Sequence, residues 1–131
     1  MTYHAGGTFD VTLSPGNSTE PMISRMVINK QFHGDLEANS TGEMLSTGNP
    51  SKGSAGYVAL ERVSGKLRGR SGSFVLQHTG TVDSGELHLS VAIVPGSGTD
   101  ELQGIRGEMH ITIDSGKHLY ALDYTLPPQA R

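Results

Sequence analysis

The chain has 131 residues, enough for one domain with a sizeable core and too few for two ordinary ones. Ten Lys and Arg against 13 Asp and Glu leave a net charge of −3, and no long run of one sign occurs, which argues against nucleic acid or a membrane surface as a partner. The absence of cysteine excludes disulfides, thiolate metal sites and cysteine nucleophiles, and the absence of Trp weakens any base-stacking role.

The first residues, Met1 to Gly7, have neither a basic start nor an apolar run. A signal peptide is therefore not expected, and the expectation is a cytoplasmic domain. In residues 8–13, Phe9, Val11 and Leu13 alternate with Thr8, Asp10 and Thr12, the period of a half-buried strand. Residues 22–32 set Met26, Ile28 and Phe32 in register. Residues 36–46, 55–63 and 73–79 read as further strands. The clearest alternation is in 86–93, where Leu87, Leu89, Val91 and Ile93 oppose Glu86, His88, Ser90 and Ala92. In 108–113, Met109, Ile111 and Ile113 oppose Glu108, His110 and Thr112. The apolar sets of these two strands are expected to be buried, and Glu86, His88, Glu108 and His110 exposed. Residues 118–126 align Tyr120, Leu122, Tyr124 and Leu126.

Eighteen glycines are spread along the chain, and turn residues separate the strands at Pro15–Ser18, Gly34–Asp35, Gly48–Pro50, Asp83–Gly85, Pro95–Gly98 and Ser115–Gly116. The glycine-rich zone 64–72 does not reveal its turn. Residues 99–104 suit one short helical turn capped by Thr99 or Asp100. About eight short antiparallel strands leave two exposed edges unless the sheet closes. The expectation is therefore a single all-β domain over 1–131, with a core at about 8–126, built as a closed eight-stranded antiparallel barrel of lipocalin-like general shape. A two-sheet sandwich fits the same pattern.

Residues Glu86–Val91, Gly96-Ser97-Gly98 and Leu102–Gly107, followed by an alternating strand and by Lys117–Tyr124, resemble the allene oxide cyclase barrel over the C-terminal third. The strings Lys30–Glu37, Gly42–Leu45, Gly53–Ala59 and Gly72–His78 make nearly all of 8–126 similar to a family of bacterial domains of unknown function. That resemblance implies an allene oxide cyclase-like barrel and says little about function. Allene oxide cyclase closes a reactive fatty-acid epoxide in an apolar lumen without a cofactor. Its polar working residues do not align with the N-terminal half of this chain, and none is carried over.

The residues themselves offer several candidates. His78 shares a face with Phe74 and Leu76; pointing into a lumen, it is a candidate general acid or base. In 55–63, Tyr57, Ala59, Glu61 and Val63 form one face and Val58, Leu60 and Arg62 the other. Both carry apolar groups, so the inward face is open. Were Glu61 inside, desolvation would raise its pKa and suit it to proton transfer; were Arg62 opposite a carboxylate on the outside, an ordinary ion pair is the simpler reading. Glu43 carries the same ambiguity. Tyr120 and Tyr124 either orient a ligand or fill the core. The ligand-binding candidates are thus Glu43, Tyr57, Phe74, His78, Tyr120 and Tyr124, of which Phe74, His78, Tyr120 and Tyr124 are expected to border a common lumen, and the catalytic candidates are His78 and Glu61. Glu86-x-His88 and Glu108-x-His110 have ligand types for zinc, but on outer faces a solvated strand pair is the simpler reading. No metal and no cofactor are expected.

Two functions from different classes follow: a barrel binding a small apolar molecule, and a cofactor-free cyclase or isomerase using the same lumen. Apolar side chains on both faces of 57–63 and 74–78 further predict a homo-oligomer packed through the outer wall.

Overall fold

The computed structural model describes residues 1–18 and 20–128. Eight strands run in chain order: β1 (Tyr3–Pro15), β2 (Ser24–Gly34), β3 (Leu36–Asn49), β4 (Ser54–Leu67), β5 (Arg70–Asp83), β6 (Glu86–Ile93), β7 (Arg106–Asp114) and β8 (Lys117–Thr125). Each pairs antiparallel with the next, and β8 returns to β1, so the sheet is a closed barrel. Closure satisfies the two edges that an open sheet of this size would expose. Short 3₁₀ turns at Pro50–Lys52 and Asp100–Leu102 are the helical elements among the described residues.

The strands begin and end beyond the alternating runs, because backbone pairing continues after the apolar pattern stops. β4 and β5 are laddered from Ser54↔Asp83 to Leu67↔Arg70. The turn hidden in zone 64–72 is Arg68-Gly69, with φ of 47° and 82°. Two central residues at positive φ make the two-residue hairpin whose twist matches the flanking strands, and Ser84-Gly85 and Ser115-Gly116 repeat it. Thr99 stands at the N-cap of the second 3₁₀ turn but makes no side-chain cap bond there; its hydroxyl instead accepts from Ser73 N at 3.0 Å.

The barrel has a packed end and an open end. At the packed end Leu36, Leu67, Phe74 and Leu122 fill the interior, and the β6–β7 connection folds over them with Leu102 and Ile105. At the other end the inward positions are not covered. Val91, Ile93 and Met109 are buried as expected, but Leu87, Leu89 and Ile113 are 61%, 38% and 67% exposed. The alternation nonetheless sets the faces as the period of two requires: Leu89 pairs with inward Gly80, and Ile113 with His118. These side chains face inward where the lumen meets solvent. Glu86, His88, Glu108 and His110 are exposed, on the outer wall.

Candidate functional site

Three ionisable side chains meet inside the barrel. Lys30 stands on β2 between the inward Ile28 and Phe32, and Glu61 on β4 between the inward Ala59 and Val63. His78 follows Leu76 by one strand period on β5. All three are buried. Lys30 Nζ lies 3.0 Å from Glu61 Oε2 and 3.3 Å from Oε1. His78 Nε2 lies 3.4 Å from the same Oε2. That approach is too poorly aligned to count as a hydrogen bond, and Nε2 and Oε2 have no well-formed hydrogen-bond partner. The His78–Glu61 contact is therefore electrostatic rather than a completed bond.

The surroundings explain how the chain tolerates this group. Gly42 lies directly across from Glu61. A Cβ there would stand 2.2 Å from the Leu60 carbonyl oxygen and 2.7 Å from Glu61 Cβ, so a residue without a side chain is required. The Lys30 ammonium rests over the Phe9 ring, 4.9 Å from its centroid, and near Phe32 at 5.8 Å, where the ring faces partly compensate its lost hydration. Tyr57 lies 6.3 Å from the His78 ring, centroid to centroid, and packs across Gly80, where a Cβ would come within 2.3 Å of its Cε1. Ser40, cross-strand from Val63, is buried with its hydroxyl unpartnered.

Burial by itself raises the pKa of Glu61, but the neighbouring His78 and the Lys30 charge outweigh it and hold the carboxyl below its ordinary value of 4.5. This corrects the expectation of a raised pKa. Desolvation acts as anticipated, but the His78 ring and then the Lys30 ammonium reverse the net effect. Glu61 is a carboxylate at neutral pH, fit to orient and charge-stabilise His78 rather than to donate a proton. Burial, and then the Glu61 charge, push the Tyr57 phenol up.

The other candidates separate. Phe74 faces inward, paired with Val63. Glu43 is outside, exposed and ion-paired with Arg25; strand parity places it opposite Leu60, not Glu61. It does not line the lumen. Tyr120 and Tyr124 are buried toward the packed end. The Tyr120 hydroxyl donates to His33 O at 3.0 Å and accepts from Leu36 N at 2.9 Å, and burial raises its pKa first of all causes. Tyr124 packs against Tyr3 at 5.5 Å. Both plug the packed end, within the same buried cluster as Phe74 and Leu76. Sequence reading passed over Lys30 because it interrupts the apolar run of β2. Its even spacing between Ile28 and Phe32 was the available signal, since a lysine in phase with the inward face needs a buried partner. Among the described residues, no group of three or more His, Asp or Glu side chains is placed to hold a metal ion, and no helix is long and apolar enough to cross a membrane.

Outside the barrel, Leu45, Val58 and Leu60 are exposed on β3 and β4. A recess of about 920 Å³ runs over this outer face, bordered by Arg25, Glu43, Leu60, Arg62 and Val75. A smaller one of about 380 Å³ lies at the open end, beside Met44, Ser46, Tyr57, Gly80 and Leu87. The larger recess also borders Glu61 and His78, whose side chains are buried.

Residues 5–124 match the family described as a protein of unknown function (DUF3224). The chain belongs to this family. A solved structure of similar sequence is the crystal structure, at 1.84 Å resolution, of a protein of unknown function from the DUF3224 family of Shewanella oneidensis MR-1. It is 46% identical, with 98% of this chain and 100% of that chain covered and a TM-score of 0.93. No curated protein matches the chain. Neither the family nor the related structure bears on a likeness to allene oxide cyclase.

Proposed function

We propose that the lumen binds a small apolar molecule whose one polar group is received by His78, Lys30 and Ser40. The observation that carries this reading is a buried polar group left incomplete: the Ser40 hydroxyl lies out of solvent without a hydrogen-bond partner, and the buried His78 ring makes only the misaligned Nε2 approach to Glu61. Buried polar atoms are ordinarily satisfied, and leaving one unmade costs about 1–3 kcal/mol. A guest that completes such a cluster recovers that energy, and an apolar wall with a few convergent polar groups is the usual make-up of a ligand site. The test follows the imidazole resonances of His78 by NMR while cyclohexanol is added. A saturable shift at His78, absent from the exposed His4, His88 and His110, supports the reading. No shift at His78 up to millimolar cyclohexanol refutes it.

A second reading, a cofactor-free cyclase or isomerase, draws on one further observation. With Glu61 beside Nε2, the carboxylate favours the tautomer protonated there, leaving Nδ1 as a base. On that reading the wild-type protein speeds exchange of the α-protons of cyclohexanone in D₂O, and His78→Gln abolishes the acceleration.

We also propose that the outer apolar face joins two copies of the chain. Leu60 is flanked by Glu43 across the β3–β4 ladder and by Arg62 along β4, while Leu45 and Val75 lie at diagonally opposite corners. A diagonal two-fold axis through Leu60 sets Leu60 against itself, Leu45 against Val75 and Glu43 against Arg62. A self-complementary patch of this kind is what a two-fold interface needs, and exposed apolar patches commonly mark interfaces.

A further inference from the structure

One seam of the barrel is unlike the others. The β6–β7 ladder is a single pair, Ala92↔Glu108, whereas β5–β6 and β7–β8 are laddered along the full length of β6 and β7. Continued toward the open end, the same antiparallel register would set Val91 beside Met109, Leu89 beside Ile111 and Leu87 beside Ile113. Val91 and Met109 are buried, but the ladder has ended, and the side chains beyond are progressively exposed. Beyond that pair, two strands with matching apolar inner faces run to the mouth without ladder hydrogen bonds between them, a seam open to parting into a slit. Its last pair in that register, Glu86 and Asp114, is doubly acidic, and like charges set opposite one another disfavour pairing.

The seam adjoins the lumen group. His78 pairs with Val91 and Gly80 with Leu89, and Tyr57 lies across Gly80 beside His78. Tyr57, Leu89 and Leu87 therefore stand in succession between the buried imidazole and the unzipped seam.

We propose that this slit is the port of the lumen and the subsite for an extended apolar chain, and that the ligand is a neutral alcohol with one unbranched tail. The proposal rests on the reading of the lumen as a ligand site. The head class follows from the charges. Lys30 is already neutralised by Glu61 at 3.0 Å, so an anionic head would lie against the Glu61 carboxylate with no free cation to balance it. A hydroxyl donates to the imidazole lone pair and accepts from Ser40 or Lys30, filling both roles the cluster offers. The tail class follows from the slit: Leu87, Leu89, Ile111 and Ile113 face each other along a line, and a single chain laid between them covers all four without requiring the strands to zip.

The experiment titrates the full chain with 1-alkanols from hexanol to dodecanol, and with n-alkanoates of the same lengths, reading His78 imidazole shifts for the head and calorimetry for affinity. Affinity for the alkanols is expected to rise about twofold to fourfold per added methylene, the scale of burying one CH₂, with each alkanoate more than tenfold weaker than its alkanol at pH 7. The double variant Leu87→Asn, Ile113→Asn is expected to flatten the chain-length dependence. Both side chains are mostly exposed, and an unchanged melting temperature verifies that the variant is folded. Affinity independent of chain length, a dependence unaltered in the double variant, or alkanoates binding as tightly as alkanols overturns the proposal. If cyclohexanol shifts His78 while the alkanol series is flat, the slit proposal falls and the lumen reading stands. If cyclohexanol and every alkanol leave His78 unmoved, both fall.

Discussion

Glu61→Gln tests the centre of the molecule, because it removes one charge and almost no volume. In the wild type Lys30 Nζ is 3.0 Å from Glu61 Oε2 and both groups are buried. At that separation the attraction is about 5–6 kcal/mol for an effective dielectric of about 20. The desolvation of two charges offsets much of it, so the intact pair contributes little net stability. Removing one partner is a different matter: it leaves an ammonium buried without its counter-ion, at a cost of about 3–5 kcal/mol. Against a typical domain stability of about 5–15 kcal/mol this is large, and it lowers Tm by roughly 10–25 °C for a chain of this size. Urea unfolding at pH 7, followed by circular dichroism, measures it. The double variant Lys30→Met, Glu61→Gln removes the orphaned charge and is expected to be more stable than Glu61→Gln alone. A Glu61→Gln cost below about 1 kcal/mol, or costs of the two single changes that simply add, would refute the claim that the pair is desolvated and coupled.

The pH dependence follows from the same carboxylate: its folded pKa is held below 4.5, so its contribution is complete above the unfolded value and is lost as pH falls through the folded one. The acid limb of the stability curve is expected to be shallower in Glu61→Gln, and identical limbs in the two proteins would count against it. Gly80→Ala forces a Cβ toward Tyr57 Cε1, 2.3 Å away, so it is expected to swing the phenol off His78 and alter the His78 imidazole shifts, while NMR shifts identical to wild type would show that the ring does not move. Tyr120→Phe leaves the buried Leu36 N–H without its acceptor, with an expected loss of about 1–3 kcal/mol in thermal unfolding; no loss would deny the plug its role. For the outer face, light scattering is expected to give a dimer that Glu43→Arg or Arg62→Glu dissociates and the paired exchange restores, whereas a wild-type monomer of about 14 kDa at micromolar concentration, where a stable interface persists, excludes the interface.

The sequence alone determined the fold class. Alternation in 86–93 and 108–113 and the spacing of turn residues fixed the strand faces, because a side-chain period of two admits a single apolar face and a one-residue slip would reverse it. It also placed His78 with Phe74 and Leu76. What it could not decide was burial along a correctly oriented face. Leu76 and Leu87 both point inward, yet one lies under the packed loop and the other at an open mouth, a difference that depends on where the β6–β7 connection folds. Nor could it choose the inward face of β4, since Ala59 and Val63 on one side balance Val58 and Leu60 on the other. Closure resolved it by pairing Glu61 with Gly42 and setting Lys30, two strands away on β2, within reach. The partners of the candidate site lie 31 residues apart for Lys30 and Glu61, and only the register of β2, β3 and β4 in the sheet brings them together. The sign of the Glu61 pKa shift is likewise a tertiary result: desolvation is a property of one buried residue, but the His78 ring and the Lys30 ammonium that override it come from other strands.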